Sequence, residues 1–380
     1  MERKIVVRRL GRVEYADGLA LMESLAEARG AGRIHDMLLL LEHPPVLTKG
    51  RAAKSENVLL SEEELAARGV ELFETNRGGD VTYHGPGQIV GYPIFDLKPD
   101  RQDVRRYVRD VEESIIRTLA EYGIEAGRAP KWTGVWVGAE DDPAAVKVCA
   151  IGVHIKRWVT THGFALNVMP DLSHFGMIVP CGISERGVAS MSSLLGKLVD
   201  PTTVEEVVAR KFGEVFGWPV EERGVDLRTI SVAVLRPGPD GPEALVLRRT
   251  ADRGGFRQIV TGRIEAGETP SEAAARELRE ETGLDLPVVD LSYVHAFGMG
   301  DEPRFVREHA FAAHAPVGSE VRIAPSEHEE AAWLPLEEAI AAMPFRGLRR
   351  ALELAAQPRG VRPGAAPPGL THQGRTVISR

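Results

Sequence analysis

The chain has 380 residues, 43% of them hydrophobic and 27% charged, with a formal net charge of −8. At roughly 100–200 residues per domain, this length predicts two or three domains, and the composition excludes a mostly disordered, collagenous or coiled-coil chain. The acidic balance gives no reason to expect nucleic acid as a partner, and two cysteines, Cys149 and Cys181, exclude a disulfide scaffold or a cysteine-rich metal framework.

No apolar run reaches the ~20 residues that span a bilayer. The first residues lack the apolar stretch of a secretion signal. The expectation is a cytoplasmic protein with no membrane partner.

In chain order, apolar periodicity predicts strands over residues 5–9, 37–42, 135–137 and 147–155. It predicts helices over 15–28, 61–68, 103–122 and 203–216. Ser61 followed three residues later by Glu64 reads as a capping box. Helices interleaved with strands make this an α+β or α/β domain. After Gly217-Trp218-Pro219 and a charged stretch the pattern resets. Strands over 229–235 and 244–247 flank a Pro/Gly cluster, as in a hairpin. All nine lysines precede this point. The predicted domains are therefore 1–223 and 224–356. The remainder, 357–380, has four Pro, four Gly, four Arg and no acidic residue, so it buries too little apolar surface to offset chain entropy and is expected to be disordered.

Three stretches of the first domain carry chemistry. Residues 77–88 read as a loop in which Gly78, Gly79, Gly85 and Gly87 alternate with Arg77, Asp80, Val81, Thr82, Tyr83 and His84. Such a backbone can approach a ligand closely. In the second, strand alternation puts Lys147, Cys149 and Ile151 on one face, and Val148, Ala150 and Gly152 on the other. It continues to His162-Gly163-Phe164-Ala165-Leu166-Asn167. A third motif is Pro180-Cys181-Gly182-Ile183.

In this order, Arg-Gly-Gly-x-x-Thr-Tyr-His-Gly-Pro-Gly-Gln, Lys-x-x-x-Ile-Gly, His-Gly-x-Ala-Leu-Asn and Pro-Cys-Gly-Ile resemble the lipoyl(octanoyl) transferases, over about residues 5–215. The resemblance implies the fold of biotin and lipoate protein ligases. It implies a reaction in which octanoyl passes from octanoyl-acyl carrier protein onto Cys181, and then to a lysine of a lipoyl-carrier domain. Such domains occur in 2-oxoacid dehydrogenases and the glycine cleavage H protein. Lys147 is implied as the partner of Cys181. Substrate contacts are implied at Arg77, Gly78, Gly79, Asp80, Val81, Thr82, Tyr83, His84, Ala150, Ile151, Gly152, Gly163, Phe164 and Ala165, with no cofactor. The chemistry agrees: a thiol of pKa ~8.5 is only slightly ionised at neutral pH, and a lysine can either stabilise the thiolate or accept the proton. Cys149 reads as a buried core residue. The competing reading is an ATP-dependent lipoate ligase, which would not need Cys181.

In the second domain, Thr269, Pro270 and Glu272 start a helix that Gly283 ends. Glu277, Glu280 and Glu281 fall on one face of it. Three adjacent carboxylates suit Mg²⁺ or Mn²⁺. The stretch from Gly262 to Leu284 is similar to a complete Nudix box, which implies a mixed sheet between helices and hydrolysis of a small diphosphate-linked substrate. It also implies metal ligands at Glu277, Glu280 and Glu281, a further carboxylate at Glu268, and Arg276 orienting the glutamates. Another glutamate is expected among Glu327, Glu329 and Glu330. The competing reading is a non-catalytic nucleotide-binding module. The fold class expected overall is α+β: a biotin/lipoate ligase-like domain followed by a Nudix α/β/α domain.

Overall fold

The computed structural model describes residues 3–129, 131–139, 142, 144–179, 187–299 and 304–357. Cys181, with the rest of its motif, lies outside the described residues, as does the expected tail from residue 358. Among the described residues, no helix is long and apolar enough to cross a membrane.

The first domain is built on an eight-stranded mixed sheet. Its spatial order is Val220–Arg223, Ile5–Arg12, Asp36–Glu42, Gln88–Ile94, Val159–Asn167, Val146–Lys156, Trp132–Val137 and Gly127–Ala129. The first three strands are parallel to one another and the rest antiparallel. The strand Asp36–Glu42 shows why the sheet is buried on both faces. Leu38 and Leu40 point to one side, against the helices Val104–Glu121 and Pro201–Phe216. Met37, Leu39 and Leu41 point to the other, against the helix Tyr15–Gly30. Each fully buried leucine contributes about 1.5–3 kcal/mol. A small sheet of Glu71–Glu74, Val46–Lys49 and Val81–His84 sits beside it.

Part of the glycine-rich stretch is therefore strand and not loop. Val81 and Tyr83 are buried while Thr82 is half-buried, and that period-2 pattern is masked in the sequence by the flanking glycines. Apolar periodicity does not predict the strands Gln88–Ile94 and Val159–Asn167 either. Both are buried on two faces and show no alternation.

The second domain is a seven-stranded sheet between helices. Leu227–Gly238 pairs in parallel with Arg304–His314 and antiparallel with Gly241–Arg249 across a two-residue Pro239-Asp240 turn. The helix Pro270–Thr282 covers one face through Ala273, Ala274 and Leu278. The helices Leu336–Ala342 and Arg346–Ala355 cover the other.

A buried carboxylate joins the two domains. Asp17, on the helix Tyr15–Gly30, accepts hydrogen bonds from His295 Nδ1 at 2.8 Å and Tyr293 Oη at 3.0 Å, and pairs with Arg346 Nε at 2.9 Å. Burial pushes its pKa up, but these partners outweigh burial and hold it below the ordinary value. Ala296 and Phe305 of the second domain complete the apolar cluster under the same helix. A cleft of about 890 Å³ opens beside this clamp, between Glu14, Tyr15 and Pro45 on one side and Leu235, Tyr293 and Arg350 on the other.

Asp17→Ala leaves His295, Tyr293 and Arg346 without their acceptor. The expected loss is about 2–4 kcal/mol, read as a lower urea midpoint together with faster proteolysis between the domains. An unchanged midpoint would mean that the carboxylate does not hold the domains together.

Candidate active sites

In the first domain the polar groups of the motifs converge on a narrow cavity of about 60 Å³. Of the residues singled out in the sequence, it is lined by Lys147, Arg77, Gly79, Asp80, Val81, Thr82, His84, Ala150, Ile151, Gly152, Gly163, Phe164 and Ala165. Gly78 and Tyr83 do not line it. Gly78 packs behind the wall, with its N–H bonded to Val153 O at 2.9 Å. Tyr83 is turned into a neighbouring core, with its hydroxyl 2.5 Å from His174 Nδ1. Tyr15, Gln88, Tyr92, Asn167 and Val188 also line the cavity. Gln88 and Asn167 end two of the motifs, but Tyr15 lies far away in sequence and carried no signal.

The predicted alternation fails at Lys147. The strand pairing slips between Val135↔Cys149 and Trp136↔Lys147, so a bulge at Val148 reverses the parity. Lys147 consequently joins Ala150 and Gly152 at the cavity, while Cys149 faces the core, fully buried, with its thiol pKa pushed far up by burial. The Lys147 ammonium sits 4.7 Å from the Trp136 ring centroid, a cation–π distance. Gly152 is required by close approach: a Cβ there would stand 2.6 Å from Gly78 O.

Arg77 is 7% exposed and fixed by Thr48: its Nη2 donates to the Thr48 carbonyl at 2.6 Å and to Oγ1 at 2.9 Å. His84 Nδ1 donates to Gln88 Oε1 at 2.8 Å. Gln88 Nε2 donates to Asn167 Oδ1 at 2.9 Å, and Asn167 Nδ2 to Ala189 O at 3.0 Å. The chain of bonds thus ends on the segment whose backbone pairs with Lys147, through Lys147 N to Gly187 O at 3.1 Å and Ala189 N to Lys147 O at 3.0 Å. His162 Nε2 donates to Asn76 Oδ1 at 2.8 Å. Burial, aided by His43 and Arg77, depresses the His84 pKa to about 3. Burial and Arg77 do the same to His162, and burial takes His43 to about 4. All three rings are neutral at pH 7 and add no positive charge to that of Arg77.

In the second domain Thr269 Oγ1 accepts from Glu272 N, and Glu272 Oε2 accepts from Thr269 N, closing the expected capping box. Arg276 organises the acidic face. It donates to both oxygens of Glu268 at 2.9 and 3.0 Å, and from Nη1 to Glu277 at 2.9 Å and Glu280 at 3.1 Å. Gly262 makes room for this: a Cβ would stand 1.9 Å from the Glu277 carboxyl carbon. Burial and the neighbouring Glu281 and Glu280 charges raise the Glu277 pKa against Arg276. The hydrogen bond from Arg276 lowers that of Glu268.

Glu281 does not join the Arg276 cluster. It is 3% exposed and turns toward Thr261 N at 3.4 Å and His328 Nε2 at 3.3 Å. Of the three later glutamates, Glu327 stands beside Glu281 and His328. Glu329 and Glu330 are exposed and pair with Arg248. The donor set fits a hard divalent ion, since two carboxylates already converge on a single cationic nitrogen.

Residues 14–213 match the lipoyl protein ligase A/B catalytic domain, and residues 227–354 the NUDIX domain. An octanoyltransferase of Myxococcus xanthus is 56% identical over 355 residues, covering 92% of this chain and 99% of its own. The chain belongs to the octanoyltransferase family. Octanoyltransferases of Caldicellulosiruptor saccharolyticus and Solibacter usitatus are each 53% identical. Each covers 56% of this chain, and 89% and 94% of their own lengths. The two-domain arrangement is thus shared with the Myxococcus relative, whereas these two align with little more than half of the chain. This octanoyltransferase is an acyltransferase that carries a Nudix pyrophosphohydrolase domain.

The neutral histidines in and beside the transferase cavity set its acid sensitivity. His84, His162 and His43 have folded values below the ordinary 6.5. The unfolded chain therefore binds more protons as pH falls below about 6.5, and stability falls with it. The ring C2–H resonances of these three should stay flat from pH 8 to 5 while the urea midpoint declines. A resonance among them titrating near 6.5 would contradict the buried, neutral assignment.

Proposed function

We propose that the first domain transfers octanoyl from octanoyl-acyl carrier protein, through a thioester on Cys181, to a lysine of a lipoyl-carrier domain. The observation that carries the reading is the placement of Lys147. It is a buried lysine lining a cavity whose histidines are neutral, and its backbone is bonded to Gly187 and Ala189, in the segment that follows Cys181. In the first step the Cys181 sulfur attacks the thioester carbonyl, and the carrier thiol leaves with a proton. In the second, the acceptor amine attacks the Cys181 thioester, the amide forms, and the cysteine thiol is restored. Lys147 is the group placed to take and return the proton. Arg77 and the glycine-rich wall hold the acyl group, with Phe164 and Ile151 as apolar surface. No ATP is required, because the acyl group arrives activated.

For the second domain we infer hydrolysis of a nucleoside diphosphate derivative, with Glu277, Glu280 and Glu281 holding Mg²⁺ or Mn²⁺. When bound, such an ion neutralises phosphate charge and lowers the pKa of water. Arg276 orients Glu268, Glu277 and Glu280 through its hydrogen bonds.

Cys181→Ser is expected to abolish transfer to an apo lipoyl domain, and Lys147→Met to slow it by about 10²–10⁴, both without ATP. Glu281→Gln should remove diphosphate hydrolysis and leave octanoyl transfer unchanged. Normal turnover by Cys181→Ser, or transfer that depends on ATP, would overturn the thioester route.

A further inference from the structure

We propose that the cleft between the two domains is a regulatory binding site for a small organic cation, an amine carried on an apolar body. At about 890 Å³ the cleft falls in the range of small-molecule sites. Both domains build it. Pro44, Pro45 and Pro86 of the first and Leu235, Leu291 and Leu354 of the second supply apolar wall.

The charged lining sets the sign of the ligand. Glu14 lines the cleft from the N-cap position of the helix Tyr15–Gly30, yet its carboxylate makes no capping hydrogen bond. Among the described residues it has neither a hydrogen bond nor an ion pair. Glu71 also lines the cleft, is exposed, and makes no ion pair among the described residues. The arginines are already engaged. Arg236 donates to Glu243 at 2.7 Å and lies over the Trp333 ring, 4.3 Å from its centroid. Arg350 donates to Glu353 at 3.2 Å, and Arg12 stands 3.8 Å from Glu42. The Arg350 charge is felt at both Glu14 and Glu71 without an ion pair to either. Two uncommitted carboxylates against one shared guanidinium leave the cleft short of positive charge, so complementarity selects a cation. Burial pushes the Glu14 carboxyl up to about 6, and a cation seated against it would bring it back toward the ordinary range.

The place of the cleft ties it to acyl transfer. Tyr15 lines both the cleft and the transferase cavity, where its ring stacks on His84. The first turn of its helix lacks a side-chain cap and is held from the second domain through Asp17. A ligand packed against Glu14 and Tyr15 therefore bears on a wall of the transferase cavity. Whatever coupling results is reciprocal: acyl occupancy of the cavity changes amine affinity by the same factor.

The probe is 4-phenylbutylamine, with 4-phenylbutyrate and 4-phenylbutanol as its matched anion and neutral form. The transferase cavity of about 60 Å³ is too small to hold its ring and chain. Calorimetry on the full chain at pH 7 should show the amine binding at least about tenfold tighter than the acid or the alcohol. Near pH 6 its binding should release a proton, read in buffers of different ionisation enthalpy, because Glu14 is partly protonated in the free cleft. The other charged groups facing Glu14 are Glu71, Asp17, Arg346 and Arg350. Glu71→Gln should weaken binding but keep the proton release. Glu14→Gln should lose both the preference for the amine and the release, while its basal octanoyl transfer stays unchanged. Saturating amine should change the wild-type rate of transfer to apo lipoyl domain by at least about twofold, and Glu14→Gln should not respond. Equal binding of the three probes, or unchanged amine affinity in a folded Glu14→Gln, would overturn the site and leave Glu14 as a screened neighbour of Arg350. Should Glu14→Gln fail to fold, binding by the wild-type chain without proton release would overturn it. Amine binding that leaves transfer unchanged would overturn the regulatory role. A chain that transfers no octanoyl at all would count against the transfer reading, and the binding measurements would still decide the site.

Discussion

A guanidinium or imidazole removed from water loses several kcal/mol unless other groups take up its hydrogen bonds, and both sites are arranged around that penalty. Arg77 is held by Thr48 and Gly78. His84 is the first member of a chain through Gln88 and Asn167 to Ala189, and the backbone of that segment pairs with Lys147. Satisfying one buried histidine therefore positions the strand that carries the lysine.

The same principle reaches across the domain boundary. Asp17 is buried, and its carboxylate accepts hydrogen bonds at Oδ2 from Tyr293 and His295 and pairs with Arg346, all residues of the second domain. Two residues earlier on the same helix, Tyr15 lines the transferase cavity and stacks on His84 at 6.1 Å and 12°. The Nudix domain thus fixes the start of a helix that forms part of the transferase wall. Nearby, burial pushes the Glu14 carboxyl up to about 6, against the Arg350 charge facing it across the cleft. The fusion is a packed unit at this edge, and not two bodies on a string.

What the sequence made legible follows from range. The helix Pro270–Thr282 was readable to the residue, because its start, its stop and its acidic face are set by neighbours within four positions. The motif residues around the transferase cavity were legible as a group only through the resemblance carried by the ordered motifs. Three features were not. The bulge at Val148 puts Lys147 and Cys149 on opposite faces, and depends on the register of a different strand. Tyr83 sits within a motif yet turns to His174, 91 residues away. Of Glu327, Glu329 and Glu330, it is Glu327 that stands beside Glu281 and the buried His328, a proximity that a linear pattern of acidic residues does not show.

The central claim is that the acyl group rests on Cys181 between donor and acceptor. It is tested most directly by incubating the enzyme with octanoyl-acyl carrier protein and no acceptor, followed by intact-mass and peptide analysis. The expected result is one added octanoyl group on Cys181, removed by hydroxylamine and discharged by apo lipoyl domain. An enzyme that transfers octanoyl normally while no adduct forms, or while the adduct maps to another residue, would contradict it.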